Sequence, residues 1–258
     1  MTVLAPRWIR HAGAAAALAL LGACASTPAP IAQTPGCLSD AQIGAWVADY
    51  NARKPAMNPP ESMTMQDAVC TRARFQQRLA AQDGPLVGYK AGLTNPAVQK
   101  RFNTDQPVWG ALYLSMLLNS GATVDAAFGA RPLYEADLLV RVKDAGINSA
   151  KTPAEVLQHV DQIVPFIELP DLMVQAPPKL NGAGVTAINV GARLGVRGPA
   201  LPVPADAAAA ALRVELIGGR EGQNIRWQCW PSAFGGSAMQ HRRCCKGDCN
   251  RTPSTDKT

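Results

Sequence analysis

Glu135 and Asp137 lie two residues apart in an otherwise apolar stretch, Arg131-Pro-Leu-Tyr-Glu-Ala-Asp-Leu-Leu-Val140. That stretch reads as a β-strand, and side chains two apart on a strand share a face. Two carboxylates side by side among apolar neighbours repel each other and resist desolvation. A hard divalent cation such as Mg²⁺ resolves the conflict, because it takes carboxylate oxygens. A third acid, Glu168, closes another apolar run, Ile163-Val-Pro-Phe-Ile-Glu168. Three acids on two strands make an oxygen-ligand set; a solvated strand face is the plainer alternative. Lys90 stands in an apolar strand between Gly88 and Gly92. Burial there is costly unless the ammonium meets an anion; from a strand edge it would instead reach water.

The elements that must carry these residues follow from local signals. Ser39-Asp-Ala-Gln42 is a capping box ahead of Ile43, Trp46, Val47 and Tyr50 at helical spacing. A second helix is predicted from Thr64 to Leu79, with Thr64 as N-cap. Pro85 to Leu93 reads as a strand and Asn95-Pro96 as a helix start. A turn is expected at Pro107–Gly110, Ser120-Gly121 reads as a turn, and residues 125–129 read as a loop. The Glu135 strand is expected to end near Asp144. Thr152-Pro-Ala-Glu155 is another capping box, with Val156, Leu157 and Val160 on one helical face. The Glu168 strand follows, then a loop from Pro170 to Lys179. Strands are predicted at Val185–Leu194 and Leu212–Ile217, with a helix or loop at Ala205–Ala211. The class is α+β: N-terminal helices, then mixed strands.

The 258 residues are 47% hydrophobic and 17% charged, enough for a sizeable core. The formal charge of +6 is confined to the ends, since residues 24–225 hold 17 basic and 17 acidic side chains. A neutral body argues against a nucleic-acid-binding domain. Gly218-Gly219-Arg-Glu-Gly222 lacks the lysine and spacing of a nucleotide loop, and neither His11 nor His159 is placed to be catalytic. Arg7 and Arg10 precede an apolar run, Ala12–Leu21, that is too short for a stable membrane span. It closes in Leu21-Gly-Ala-Cys24, which resembles the lipobox of bacterial lipoproteins. Residues 1–23 are therefore expected to be a signal peptide, with Cys24 lipidated and 24–37 as a tether. That implies a periplasmic, lipid-anchored protein, in a Gram-negative bacterium at the outer membrane; an ordinary secretory signal is the alternative. Cys37 and Cys70 form a disulfide in such a compartment, or are two small buried residues. Residues 226–258 change composition. They read as an aberrant or disordered basic tail, with a zinc knuckle of His241, Cys244, Cys245 and Cys249 as the weaker alternative.

Four segments occur in order: Gly88-Tyr-Lys90-Ala-Gly-Leu-Thr94, Asp105-Gln-Pro107 with Gly110, Glu135-x-Asp137, and Pro165-Phe-Ile-Glu168. Together they resemble the 2-keto-4-pentenoate hydratase and 4-oxalocrotonate decarboxylase group of the fumarylacetoacetate hydrolase superfamily, over residues 38–222. The resemblance implies a rolled mixed β-sheet. It implies Mg²⁺ or Mn²⁺ held by Glu135, Asp137 and Glu168, with Asp137 standing where the group has a glutamate. It places Lys90 and Asp105 in the active site, Lys90 toward the substrate carboxylate or enolate and Asp105 toward a water or proton donor. The expected substrate is a small 2-oxo acid or dienol, and the reaction is hydration of a 2-hydroxy-2,4-dienoate or the related decarboxylation. Asp105 shaping a turn before Pro107 is the structural alternative. Members of the group continue past the position of Asn224, so the 38–225 domain is expected to be C-terminally incomplete. The competing expectation is a catalytically inactive, membrane-anchored binding lipoprotein that keeps the fold. A homo-oligomer is left open.

Overall fold

The structure is a computed structural model that describes residues 31 and 33–203, together with the backbone of 214–218 and 225–229. The expected signal peptide, Cys24, Ala205–Ala211 and residues 230–258 lie outside the described residues.

Three helices start where capping chemistry places them. In α1 (Asp40–Asn51) the Ser39 hydroxyl accepts from the Gln42 N–H, and the Gln42 side chain accepts from the Ser39 N–H. Thr64 and Asp67 repeat the exchange at the start of α2 (Met65–Asp83), and Thr152 and Glu155 at α4 (Pro153–Gln158). Each reciprocal pair satisfies backbone donors that the first helical turn leaves open. The second helix runs four residues past the predicted end, to Asp83, and the Gly84 that follows has a positive φ of 82° that turns the chain toward β1 (Leu86–Gly92). Asn95 caps the short α3 (Pro96–Arg101).

The helices α1 and α2 bury their apolar stripes together. Trp46 and Tyr50 each meet the Phe75 ring edge-on at 5.8 Å. A disulfide joins Cys37 to Cys70, with Cα atoms 5.7 Å apart. Beside it the Leu38 N–H donates to Thr71 Oγ1 at 3.1 Å and the Gly36 N–H to Asp67 Oδ1 at 3.0 Å. The segment before α1 is thus stitched to α2.

The turn expected at Pro107–Gly110 is instead the entry to a strand, β2 (Val108–Tyr113), antiparallel to β1. Pro107 stands just outside the ladder, where its missing N–H costs nothing. A larger sheet has the order β3 (Leu117–Asn119), β6 (Leu194–Arg197), β5 (Val160–Leu169), β4 (Glu135–Val142). The β3–β6 pair is parallel and the other pairs are antiparallel, so the sheet is mixed. A short β7 (Leu201–Pro202) pairs with the other end of β5. Val160, expected on the face of α4, begins β5 instead.

The strand predicted at Val185–Leu194 is not formed. Asn181 caps α5 (Gly182–Ala187) by accepting from the Gly184 N–H at 2.8 Å, and only Leu194 enters a strand. Every residue of α5 is buried. A short run buried on all sides has no period by which to tell helix from strand. At the other end, β8 (Val214–Gly218) and β9 (Ile225–Cys229) form an antiparallel pair.

Among the described residues, no helix is long and apolar enough to cross a membrane.

Candidate metal and substrate site

Antiparallel pairing of β4 with β5 sets Glu135 directly opposite Glu168, and Asp137 opposite Phe166. Residues opposite each other share a face, with Cβ atoms about 5 Å apart. Glu135, Asp137, Leu139, Phe166 and Glu168 therefore form one face. It points inward: Leu139 packs on the core and Phe166 and Glu168 are buried, while Val140, Ile167 and Leu201 of the other face are exposed. Close packing holds this face in place. Gly195 of β6 pairs with Glu168, and a Cβ at Gly195 would collide with the Phe166 ring.

The β1–β2 ribbon supplies the counter-charge. Lys90 makes an ion pair with Glu168 Oε1, and both side chains are nearly excluded from solvent, 9% and 4% exposed. Such a pair forms because each charge alone would be far costlier to desolvate. The sequence reading that Lys90 needs an anion is met by a protein carboxylate.

The ribbon is itself positioned. Lys90 pairs with Gly110, where a Cβ would strike the backbone carbonyl of Asn189. The Asn189 side chain is fully buried. It accepts from the Ala111 N–H and from Gln76 Nε2, each at 2.8 Å, and donates to the Ala111 carbonyl at 3.0 Å. Asn189 and Val190 hold positive φ angles of 56° and 55°. Asparagine tolerates that conformation; a β-branched valine does not adopt it without surrounding constraint.

Asp171 performs a similar service at the end of β5. Its carboxylate, 1% exposed, accepts from the Ala130 and Arg131 N–H groups at 3.0 and 2.7 Å, with Arg193 at 3.6 Å. It ties the segment that leads into Glu135 to the segment that follows Glu168. Arg193 in turn lies over the Tyr50 ring and donates to the Tyr50 carbonyl. Burial holds the Tyr50 phenol well above its ordinary range. Neither Asp171 nor Asn189 was singled out from the sequence. The available signals were the Pro170-Asp171 turn dipeptide and the Asn-Val-Gly run at 189–191, both suited to irregular backbone.

Among the described residues, no three His, Cys, Asp or Glu side chains are gathered closely enough to hold a metal ion. Asp137 Oδ1 accepts from the Leu138 N–H at 2.8 Å. Asp105 is exposed in the loop before β2, lining a surface cleft with Pro96, Gln99, Lys100, Asn103 and Thr104. The structure thus brings Lys90 and Glu168 together with Glu135 opposite, keeps Asp137 on their face, and leaves Asp105 exposed in a surface cleft lined by none of them.

A buried carboxylate opposed by a half-buried one on adjacent strands of a mixed sheet, with a lysine delivered from a separate ribbon, belongs to an α+β protein with the fold of a 4-oxalocrotonate decarboxylase. The solved decarboxylase from Pseudomonas putida G7, complexed with magnesium and adipate, superposes with a TM-score of 0.53 at 22% identity, covering 62% of this chain and 64% of that one. The same enzyme complexed with calcium and acetate gives 0.50. In sequence, the chain is 32% identical over 108 residues to a 2-keto-4-pentenoate hydratase of Paraburkholderia xenovorans (strain LB400), 42% of this chain and 40% of the relative. It is 28% identical over 172 residues to a 2-hydroxyhexa-2,4-dienoate hydratase of Comamonas testosteroni, 65% of this chain and 64% of the relative. The chain therefore matches about two fifths of the length of the first relative. No family model matches.

Proposed function

We propose that this chain is a divalent-metal-dependent hydro-lyase of the 2-keto-4-pentenoate hydratase group, built on a rolled sheet of the fumarylacetoacetate hydrolase type and acting on a 2-hydroxy-2,4-dienoate or related 2-oxo acid. The observation that carries the proposal is the Glu135–Glu168 register with Lys90 seated on Glu168. Similarity to curated hydratases supports the substrate class. The donor set suits Mg²⁺ or Mn²⁺: it is all carboxylate oxygen, two donors face each other, and the third is two residues along. Glu135, Asp137 and Glu168 would hold the ion. A bound divalent ion supplies Lewis-acid stabilisation to a developing enolate. Lys90 faces the substrate carboxylate and neutralises it in a site that excludes water. The burial of Lys90 and Glu168 keeps that charge interaction strong. Asp105, as the family resemblance implies, would orient a water or proton donor.

Loss of dienol absorbance on adding the purified chain and Mg²⁺ to a 2-hydroxydienoate tests this reading. Turnover that disappears in Glu135→Ala supports it; no turnover with the metal bound overturns it.

A second reading is favoured by the Cys37–Cys70 disulfide, which persists only in an oxidising compartment. Here the chain is exported, lipidated at Cys24, anchored to the membrane, and binds a 2-oxo acid without turning it over. Isothermal titration with Mg²⁺ and oxalate separates the two: binding without turnover selects the second.

A further inference from the structure

We infer that β4 is a dimerisation edge: two copies of this chain join by pairing this strand antiparallel with itself, about a two-fold axis at Leu139. The inference stands apart from the metal reading above.

The strand lies at the end of its sheet. Among the described residues β4 pairs with β5 alone, and β8 comes near it but pairs only with β9. Eight residues make a long edge, and an uncovered edge is a template for another strand. The direction of its backbone groups is fixed at both ends. Leu133 and Lys143 donate their N–H groups toward the β5 side, to the Pro170 and His159 carbonyls. Pairing groups alternate from side to side along a strand. The N–H and C=O groups of Ala136, Leu138, Val140 and Val142 therefore face away from β5. The Leu138 N–H agrees, since it is met by the Asp137 carboxylate and not by a β5 carbonyl.

The strand is also complementary to its own reverse. Glu135-Ala-Asp-Leu-Leu-Val-Arg-Val-Lys143 carries its acids in the first half and its bases in the second. Outward-facing residues must lie opposite outward-facing ones to exchange hydrogen bonds. With Leu139 opposite itself, Ala136 meets Val142 and Leu138 meets Val140, on the face where Val140 and Val142 are exposed. On the other face Asp137 meets Arg141 and Glu135 meets Lys143. Opposite charges directly across a ladder stabilise it. Moving the axis by one residue in either direction loses one of the two acid–base pairs. Arg141 holds Asp161 through Nε and Nη2, and a guanidinium has further donors for a second carboxylate. Because the complementarity is to itself, the fitting occupant is a second copy, in an isologous contact. That copy's Arg141 and Lys143 then stand beside the acid face of the first, and one sheet runs across the axis.

Sedimentation equilibrium of the full mature chain over a range of concentrations tests this. Wild type is expected to dimerise. Val140→Pro deletes an outward N–H while leaving the β5 ladder its donors, and is expected to abolish the dimer. Lys143→Glu sets like charges opposite each other twice per dimer. It is expected to weaken association about tenfold, with the difference shrinking at high salt. Thermal melts establish that each variant folds. Should Val140→Pro fail to fold, Lys143→Glu, at an exposed position, carries the comparison. Wild type that stays monomeric at every concentration overturns the inference and leaves the edge to β8 or to water. An assembly that either folded variant leaves unchanged overturns it as well, placing the contact elsewhere on the surface.

Discussion

Lys90 of the β1–β2 ribbon and Glu168 of the larger sheet close an ion pair in an interior where neither charge could stand alone. That pair links the two sheets at the centre of the candidate site, and it sets the first expectation. Glu168→Ala removes one partner and leaves a buried ammonium. The variant should lose about 3 to 5 kcal/mol of unfolding free energy in denaturant titrations. Glu135→Gln, at a half-buried position opposite, should cost much less stability while weakening Mg²⁺ binding at least tenfold by calorimetry.

The Cys37–Cys70 bridge closes a loop between residues 33 apart in sequence. Loop-closure entropy of that size corresponds to about 3 to 4 kcal/mol. Equilibrium unfolding with and without reductant, or of the Cys37→Ser/Cys70→Ser variant, should show a loss of that order. The loss should appear in the transition midpoint, with the rest of the chain still folding cooperatively.

Packing around the acid face is tight enough to read by one methyl group. Gly195→Ala brings a Cβ into the Phe166 ring. Overpacking of this kind costs about 1 to 3 kcal/mol. Thermal melts should show that loss, and Phe166→Leu in the same chain should restore part of it.

Alkaline pH offers a separate check on the core. Burial, aided by the nearby charges of Asp83 and Tyr89, pushes the Tyr113 phenol up to about 12. Its hydroxyl donates to the Gln76 carbonyl at 2.9 Å. In the unfolded chain a tyrosine loses its proton near pH ~10. Between those values the unfolded state binds fewer protons, so stability falls as pH rises. The contribution is whole below about pH 10 and gone above about 12. Tyr113→Phe should flatten the decline measured by denaturant titration across that window, leaving the part due to Tyr50.

Local chemistry was the legible part of this fold. Ser39, Thr64 and Thr152 announced their helices because a cap is a contact three residues long. Apolar alternation placed Glu135 and Glu168 on strands, but not opposite each other; register depends on the intervening chain through α4. Lys90 was recognisable as a cation in need of an anion, yet its partner lies 78 residues away. Residues 182–191 defied the reading because burial on every side erases periodicity. Asp171 and Asn189 were invisible for a related reason: their hydrogen bonds go to backbone at 130, 131 and 111, which only the finished fold brings near.

The two halves of the candidate site belong to different hydrogen-bonded units. Both opposed acids arrive on adjacent strands of one sheet, while the lysine comes on a two-stranded ribbon with its own ladder. Such a division makes the pocket modular. Variation in residues 86–113 can re-aim the ammonium and reshape what it greets, while the carboxylate floor, fixed by β4 and β5, stays as it is.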